Sequence, residues 1–167
     1  MFRIETFTAQ PDLVEDRIRL DVLSPEGQTQ SIHLTRRLCD RFVPLLLERI
    51  ESQVRPGVPK EIGLAMSQQQ LRMERQESHI PDVEPQHGAS RWLCQTIHLS
   101  EEQGMVLWTL TDNAANTAVM LLPDVGLRSV LEVILLNYRQ LEWGLGTFPD
   151  WLLEGVASPE ASPRVLN

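Results

Sequence analysis

The side chains of this 167-residue chain best suited to chemistry are two cysteines, Cys39 and Cys94, and four histidines, His33, His79, His87 and His98. A thiol becomes an effective nucleophile near neutral pH when an imidazole takes its proton. His33 and His98 both fall in segments with strand-like alternation, so neighbouring strands could face them toward one another with Cys39 or Cys94 close by. That is the minimum for a thiol–imidazole pair, and no motif surrounds it. The histidines lack zinc-ligand spacing, and the cysteines have neither CxxC spacing nor the density of a disulfide scaffold. Buried thiols and surface or strand-face histidines are the plainer reading. G-x-S-x-G, P-loop, GxGxxG and HExxH patterns are absent, and the paired Glu101-Glu102 sits in a turn where solvated charges are ordinary. No catalytic residue, metal or cofactor is assigned, and catalysis is not the expected role.

The other concentration of chemistry is apolar. Trp143, Phe148, Trp151 and Leu152 lie within ten residues of one another, just beyond the most strongly patterned stretch of the chain. In 124–145, apolar residues recur at Leu127, Leu131, Ile134, Tyr138, Leu141 and Leu145, which predicts a helix with one continuous apolar stripe, capped by Asp124. At about 100° per residue, Leu136 and Trp143 fall together across from that stripe. Two readings follow. In one, the tail folds back and its aromatics complete the core. In the other, Leu136, Trp143, Phe148, Trp151 and Leu152 form a docking surface for a partner or a second copy of the chain.

The elements that position these residues follow from periodicity. Phe2, Ile4 and Thr6 share a face of a first strand. Residues 16–23 and 28–34 form a hairpin about the Ser24-Pro25-Glu26-Gly27 turn, with Ile18, Leu20, Val22, Ile32 and Leu34 inward and Arg17, Arg19 and Asp21 outward. Thr35 caps a helix whose inward set is Leu38, Phe42, Leu45, Leu46 and Ile50, and Pro44 predicts a kink or two short helices. Residues 60–76 give a second helix, with Ile62, Met66 and Met73 as its contacts, although Ile62, Leu64 and Met66 also alternate as a strand would. Residues 77–90 read as a flexible loop. Then RWLCQTIHL and MVLWTLTD pair as a hairpin, TAVMLL adds a strand, the patterned helix ends at Gly144 and Gly146, and 155–167 reads as a disordered tail.

A single domain over residues 1–154 accounts for all of this. The net charge of −8 and a single lysine, Lys60, with arginines scattered along the chain, argue against nucleic acid as a partner. The N-terminus lacks a signal pattern and no run is long enough to span a membrane, so a cytoplasmic protein is expected.

SIHLTRRLCDRFVPLLLERI, a strand entering a helical hairpin, and MVLWTLTDNAANTAVMLLPDVGLRSVLEVILL, strands entering a long helix, together resemble the globular heads of the DNA end-joining scaffold (XLF-like) family. The resemblance lies in the order of elements over about 110 residues, without a diagnostic motif. It implies an antiparallel sandwich holding a helical pair, and a non-catalytic role. It also implies a dimerising helical stalk, from which this chain departs by ending its helix near Gly144.

The expected fold is α+β: an antiparallel sheet or flattened barrel of five to seven strands with an inserted helical pair and a long C-terminal helix packed across it. The expected function is a protein-interaction or assembly domain, acting on a protein partner or as a homodimer. A small-molecule-binding or hydrolytic protein, with a Cys/His site between the sheet and the helical pair, is the alternative.

Overall fold

The computed structural model of the chain describes residues 1–54, 56–78 and 80–154. They form β1 (Phe2–Arg3), β2 (Thr6–Asp12), β3 (Arg17–Leu23), β4 (Thr29–Thr35), α1 (Arg36–Glu51), α2 (Lys60–Glu77), β5 (Ser90–Leu93), β6 (Thr96–Glu102), β7 (Met105–Thr111), β8 (Thr117–Leu122), α3 (Asp124–Gln140) and α4 (Asp150–Leu153). The α+β class holds. The sheet expected to be antiparallel is instead two four-stranded mixed sheets, β1-β8-β7-β6 and β2-β3-β4-β5, in which β1–β8 and β4–β5 pair in parallel.

Two strands that cross between sheets explain the difference. Ile4 N–H donates to the Val119 carbonyl (2.8 Å) in one sheet, while Glu5 N–H donates to the Leu23 carbonyl (2.8 Å) in the other. The stretch RWLCQTIHL divides in the same way. Cys94 N–H bonds the His33 carbonyl and Gln95 N–H bonds the Thr111 carbonyl, each at 2.9 Å. A bend of one residue step thus sends alternate parts of one chain into different sheets, and each sheet gains a short parallel strand at its edge.

The hairpin of β3 and β4 has the expected register, with Leu20 opposite Ile32 and Ile18 opposite Leu34. Its outer face is less open than alternation implies. Asp21 is fully buried, accepting from Ser31 Oγ (2.7 Å) and Arg19 Nε (3.0 Å). The cover comes from the loop after α2, expected to be flexible: Val83 N–H donates to Thr8 Oγ1 and Gln86 N–H to Thr29 Oγ1, both at 2.8 Å, with Val83 buried. Residues 155–167, expected to be disordered, lie outside the described residues.

Thr35 caps α1 as expected, accepting from Leu38 N–H at 3.2 Å. Despite Pro44, α1 is one helix of 16 residues and not two short ones. Pro44 is exposed, so the Asp40 carbonyl that loses its helical donor faces the side where water can serve it, while Cys39, Phe42, Val43, Leu46 and Ile50 hold the inner face. Leu45, expected inward, is exposed. Phe42 stacks on Trp108 of β7 (ring centroids 5.8 Å apart), and Trp108 meets Phe7 of β2 edge-on (5.7 Å). One aromatic column therefore ties α1 to both sheets.

In α3, Leu127, Leu131, Ile134 and Tyr138 are buried as the stripe requires, and Val130 and Leu135 widen it. The helix stops earlier than expected. It ends at Gln140, not at Gly144–Gly146: Glu142 takes a left-handed conformation (φ 57°) and Trp143 N–H reaches back to the Tyr138 carbonyl at 2.9 Å. This is a Schellman-type closure with a non-glycine residue in the position that usually favours glycine.

The inner face of α2 is Leu64, Gln68 and Leu71, so the expected contacts Ile62, Met66 and Met73 lie on the opposite side and are exposed. Polar bonding decided the rotation. Glu132 is buried on α3, and its carboxylate accepts from Arg72 Nε (2.9 Å), Arg72 Nη2 (3.0 Å) and Gln68 Nε2 (2.9 Å). Arg72 also donates to the carbonyls of Leu152 (2.8 Å) and Glu154 (3.2 Å), holding α4 to the same point. Removing one member of such a buried pair costs about 3–5 kcal/mol because the other charge is left without a partner. Arg72→Met and Glu132→Leu are each expected to lower the unfolding free energy measured in urea by that amount, and the joint variant by less than either alone. A double-mutant cycle with no coupling would contradict the geometry.

Candidate functional site

Three places hold the residues singled out by the sequence. The first is the C-terminal aromatic group. Trp143, Phe148, Trp151 and Leu152 are all buried, while Leu136 keeps 39% of its surface exposed. The early stop of α3 is the cause. With Gln140 the last helical residue, Trp143 does not continue the helix face that carries Leu136. The turn at Glu142 sends it inward, where its ring meets Tyr138 edge-on at 4.9 Å, and Phe148 meets the same tyrosine edge-on at 5.0 Å. Trp143 Nε1 donates to Asp16 Oδ1 at 2.6 Å, and Tyr138 donates its hydroxyl proton to Asp40 Oδ1 at 2.7 Å. These four residues pack into the core, with no more than 7% of any of them exposed. Leu136 faces a separate groove between α3, β2 and residues 80–82.

The second place is the thiol–imidazole alternative. A cleft of about 510 Å³ does lie between α1 and β6, lined by Leu45, Arg49, Ile97, His98 and Glu101 among others. Neither cysteine lines it. Cys39 is wholly buried, and burial pushes its thiol far above the usual range. Cys94 is pushed up to about 11, mainly by burial, and its S–H donates to the Thr96 carbonyl at 3.2 Å. Among the described residues no imidazole is within hydrogen-bond distance of either thiol. The His33 ring points elsewhere, with Nδ1 3.7 Å from Glu15 Oε2, and burial lowers its proton affinity despite the nearby Glu15.

The third place was read from the sequence as part of the core and is instead uncovered by any of the described residues. Ile62, Met66 and Met73 of α2 are 55%, 67% and 58% exposed. With Gln69 they span an arc of about 60° on the face away from α3, at about 100° per residue. The open surface beside Met66, Gln69, Gln70 and Met73 extends to Glu154. The signal was present in the sequence as a second period: Leu64, Gln68 and Leu71 repeat at steps of four and three, as do Ile62, Met66, Gln69 and Met73. What decided between them was Gln68, which seeks the buried Glu132.

No family model matches the chain, and no curated protein or solved structure matches it. None of the described helices is long and apolar enough to cross a membrane.

Two outcomes follow from these placements. Trp151→Ala is expected to cost about 3–5 kcal/mol of stability, the price of a large buried aromatic; a variant as stable as the parent in urea would show that Trp151 is not packed. The buried acids set an alkaline limit. Cys39, Cys94 and Tyr138 all hold their protons more tightly in the folded chain, by burial and, for Tyr138, also by its bond to Asp40. Their contribution is complete below the ordinary thiol range near pH 8.5 and is lost as pH rises toward the folded values. The urea midpoint should be level from pH 7 to 8 and decline above about pH 9, and the Cys39→Ala/Cys94→Ala variant should delay that decline to about pH 10, where only the phenol contributes.

Proposed function

We propose that the chain is a non-catalytic assembly domain that docks through the outer face of α2, and that the occupant of this face is α2 of a second copy. The observation that carries the reading is the exposed stripe of Ile62, Met66, Gln69 and Met73 on a helix held firmly from behind by Glu132. Long apolar side chains aligned on one helix face are costly to leave in water, and flexible methionines suit a surface that repacks against a partner.

The spacing favours self-association in particular. Steps of four, three and four read the same from either end. An antiparallel copy therefore places Met73 opposite Ile62 and Gln69 opposite Met66, twice over, about a two-fold axis. The two Gln69 side chains then flank the axis, one from each copy, and a polar contact between them near the centre would fix the register. The likeness of element order to the heads of the end-joining scaffolds supports the same class of role. In those proteins the dimerising element is a helical stalk, and here the inserted helical pair would serve.

With −8 on each chain, two copies repel one another at low ionic strength, so screening by salt favours the pair. Sedimentation equilibrium tests the proposal. The chain is expected to shift from monomer to dimer with concentration, more readily at 0.3 M than at 0.03 M salt, and Met66→Glu/Met73→Glu is expected to stay monomeric with a melting temperature within about 2 °C of the parent monomer, since exposed substitutions change stability by roughly 0.5 kcal/mol or less. A chain monomeric at several hundred micromolar, or a variant that dimerises as well as the parent, would overturn it.

A further inference from the structure

The loop joining β2 to β3 brings together three side chains that none of the preceding roles uses. Asp12 ends β2, Glu15 lies in the loop, and His33 stands on β4, across β3 from them and opposite Arg19. One potential ligand atom from each lies within 4.8 Å of the others. We propose that Asp12, Glu15 and His33 bind a divalent first-row transition-metal ion, with zinc the best match.

The observation that sets this group apart from an ordinary acidic loop is the imidazole. The His33 side chain is only 7% exposed, its Nδ1 has no hydrogen-bond partner among the described residues, and that atom is directed at the Glu15 carboxylate from 3.7 Å. The gap is too long for a hydrogen bond. A buried ring nitrogen without a partner is rare in folded chains, because its desolvation is not offset. A cation seated between the ring and the two carboxylates would use that lone pair.

The loop is prepared for it on the carboxylate side. Asp12 Oδ1 accepts the backbone N–H groups of Val14 (3.1 Å) and Glu15 (3.0 Å), which fixes the aspartate and leaves Oδ2 outside the hydrogen bonds formed. Trp143 holds the loop from the other end through Asp16. Arg17 is the competitor: its Nη1 lies 3.2 Å from Glu15 Oε2. That pair is solvent-accessible on both sides, so it is weak and readily exchanged for a divalent ion.

The donor set selects the class of ion. One imidazole nitrogen with two carboxylates suits zinc and its neighbours, leaving a fourth position to water, whereas calcium and magnesium prefer oxygen alone and cuprous ion prefers sulfur. None of these ligands belongs to α2, so the site and the proposed dimer stand or fall separately.

The test is titration of the metal-free full chain with zinc chloride by calorimetry in a non-chelating buffer. One ion per chain should bind saturably, be removed by EDTA and raise the melting temperature. Asp12→Asn retains the oxygen that receives the two backbone bonds, and Glu15→Gln changes only a loop side chain. Both should fold and weaken zinc binding by about tenfold or more, as should His33→Ala if it folds. Nitrogen-detected NMR of the imidazoles should show zinc moving His33 Nδ1. Absence of saturable binding by the parent chain, undiminished binding by Asp12→Asn and Glu15→Gln, zinc shifts confined to His87 or His98, or a preference for calcium or magnesium over zinc would each overturn the assignment.

Discussion

The carboxylate of Glu132 is buried in the middle of α3, and a carboxylate in that position has to be met by donors. Arg72 supplies two and Gln68 a third, all from α2. Arrangement of the whole helical side follows from this one requirement. α2 has two stripes that could face inward, and on hydrophobicity alone Ile62, Met66 and Met73 compete well with Leu64 and Leu71. The buried charge removes the choice, because only the face carrying Gln68, with Arg72 beside it, can satisfy it. The same arginine takes the carbonyls of Leu152 and Glu154, so the rotation of α2 and the seat of α4 are set together. A buried ion pair adds little net stability, and what this one adds is uniqueness. Here the uniqueness consists in which apolar stripe is left outside.

Much of the fold was legible in the sequence because periodicity speaks directly to one-sided burial. The hairpin of β3 and β4, the cap at Thr35 and the main stripe of α3 required only alternation, a hydroxyl and a 3.6-residue repeat. The failures share a cause as well. Asp21 was read as outward since its neighbours alternate, yet Thr8, opposite it, and Thr29, opposite Leu23, bind a loop 75 and 57 residues away in sequence, and no local pattern records that cover. The bends at Ile4–Glu5 and Cys94–Gln95 are equally silent, because a strand that changes sheets keeps its alternation while its partners change.

For the candidate sites the balance is different. The aromatic residues were found by type, but their environment turned on a single dihedral. Had Glu142 remained helical, Trp143 would have shared a face with Leu136; in the left-handed region it closes onto Tyr138. Glycine would have announced such a turn, and Gly144 lay close enough to suggest the wrong position. Asp12, Glu15 and His33 were invisible for a complementary reason. Their meeting depends on the offset between a loop and the far strand of a three-stranded unit, and spacing in sequence carries little trace of it.

The link from Trp143 to Asp16 joins these two regions physically. A C-terminal indole donates to the loop that separates β2 from β3, on which Glu15 is carried, while the chain between Trp143 and α4 is anchored by Phe148 on Tyr138 and by Arg72 on the carbonyls beyond Trp151. The C-terminal segment therefore acts as a strap across the domain, fastened at one end to the β2–β3 loop and at the other to α2. Its aromatics are spent on closing the fold, which explains why so apolar a stretch leaves little surface there. The apolar surface left over lies on the other side of the strap's second anchor, along Ile62, Met66 and Met73, where nothing in the chain comes back to cover it among the described residues. The domain secures its own C-terminal segment thoroughly and, among the described residues, leaves the outer face of α2 uncovered, and it is on that contrast that the proposed self-association rests.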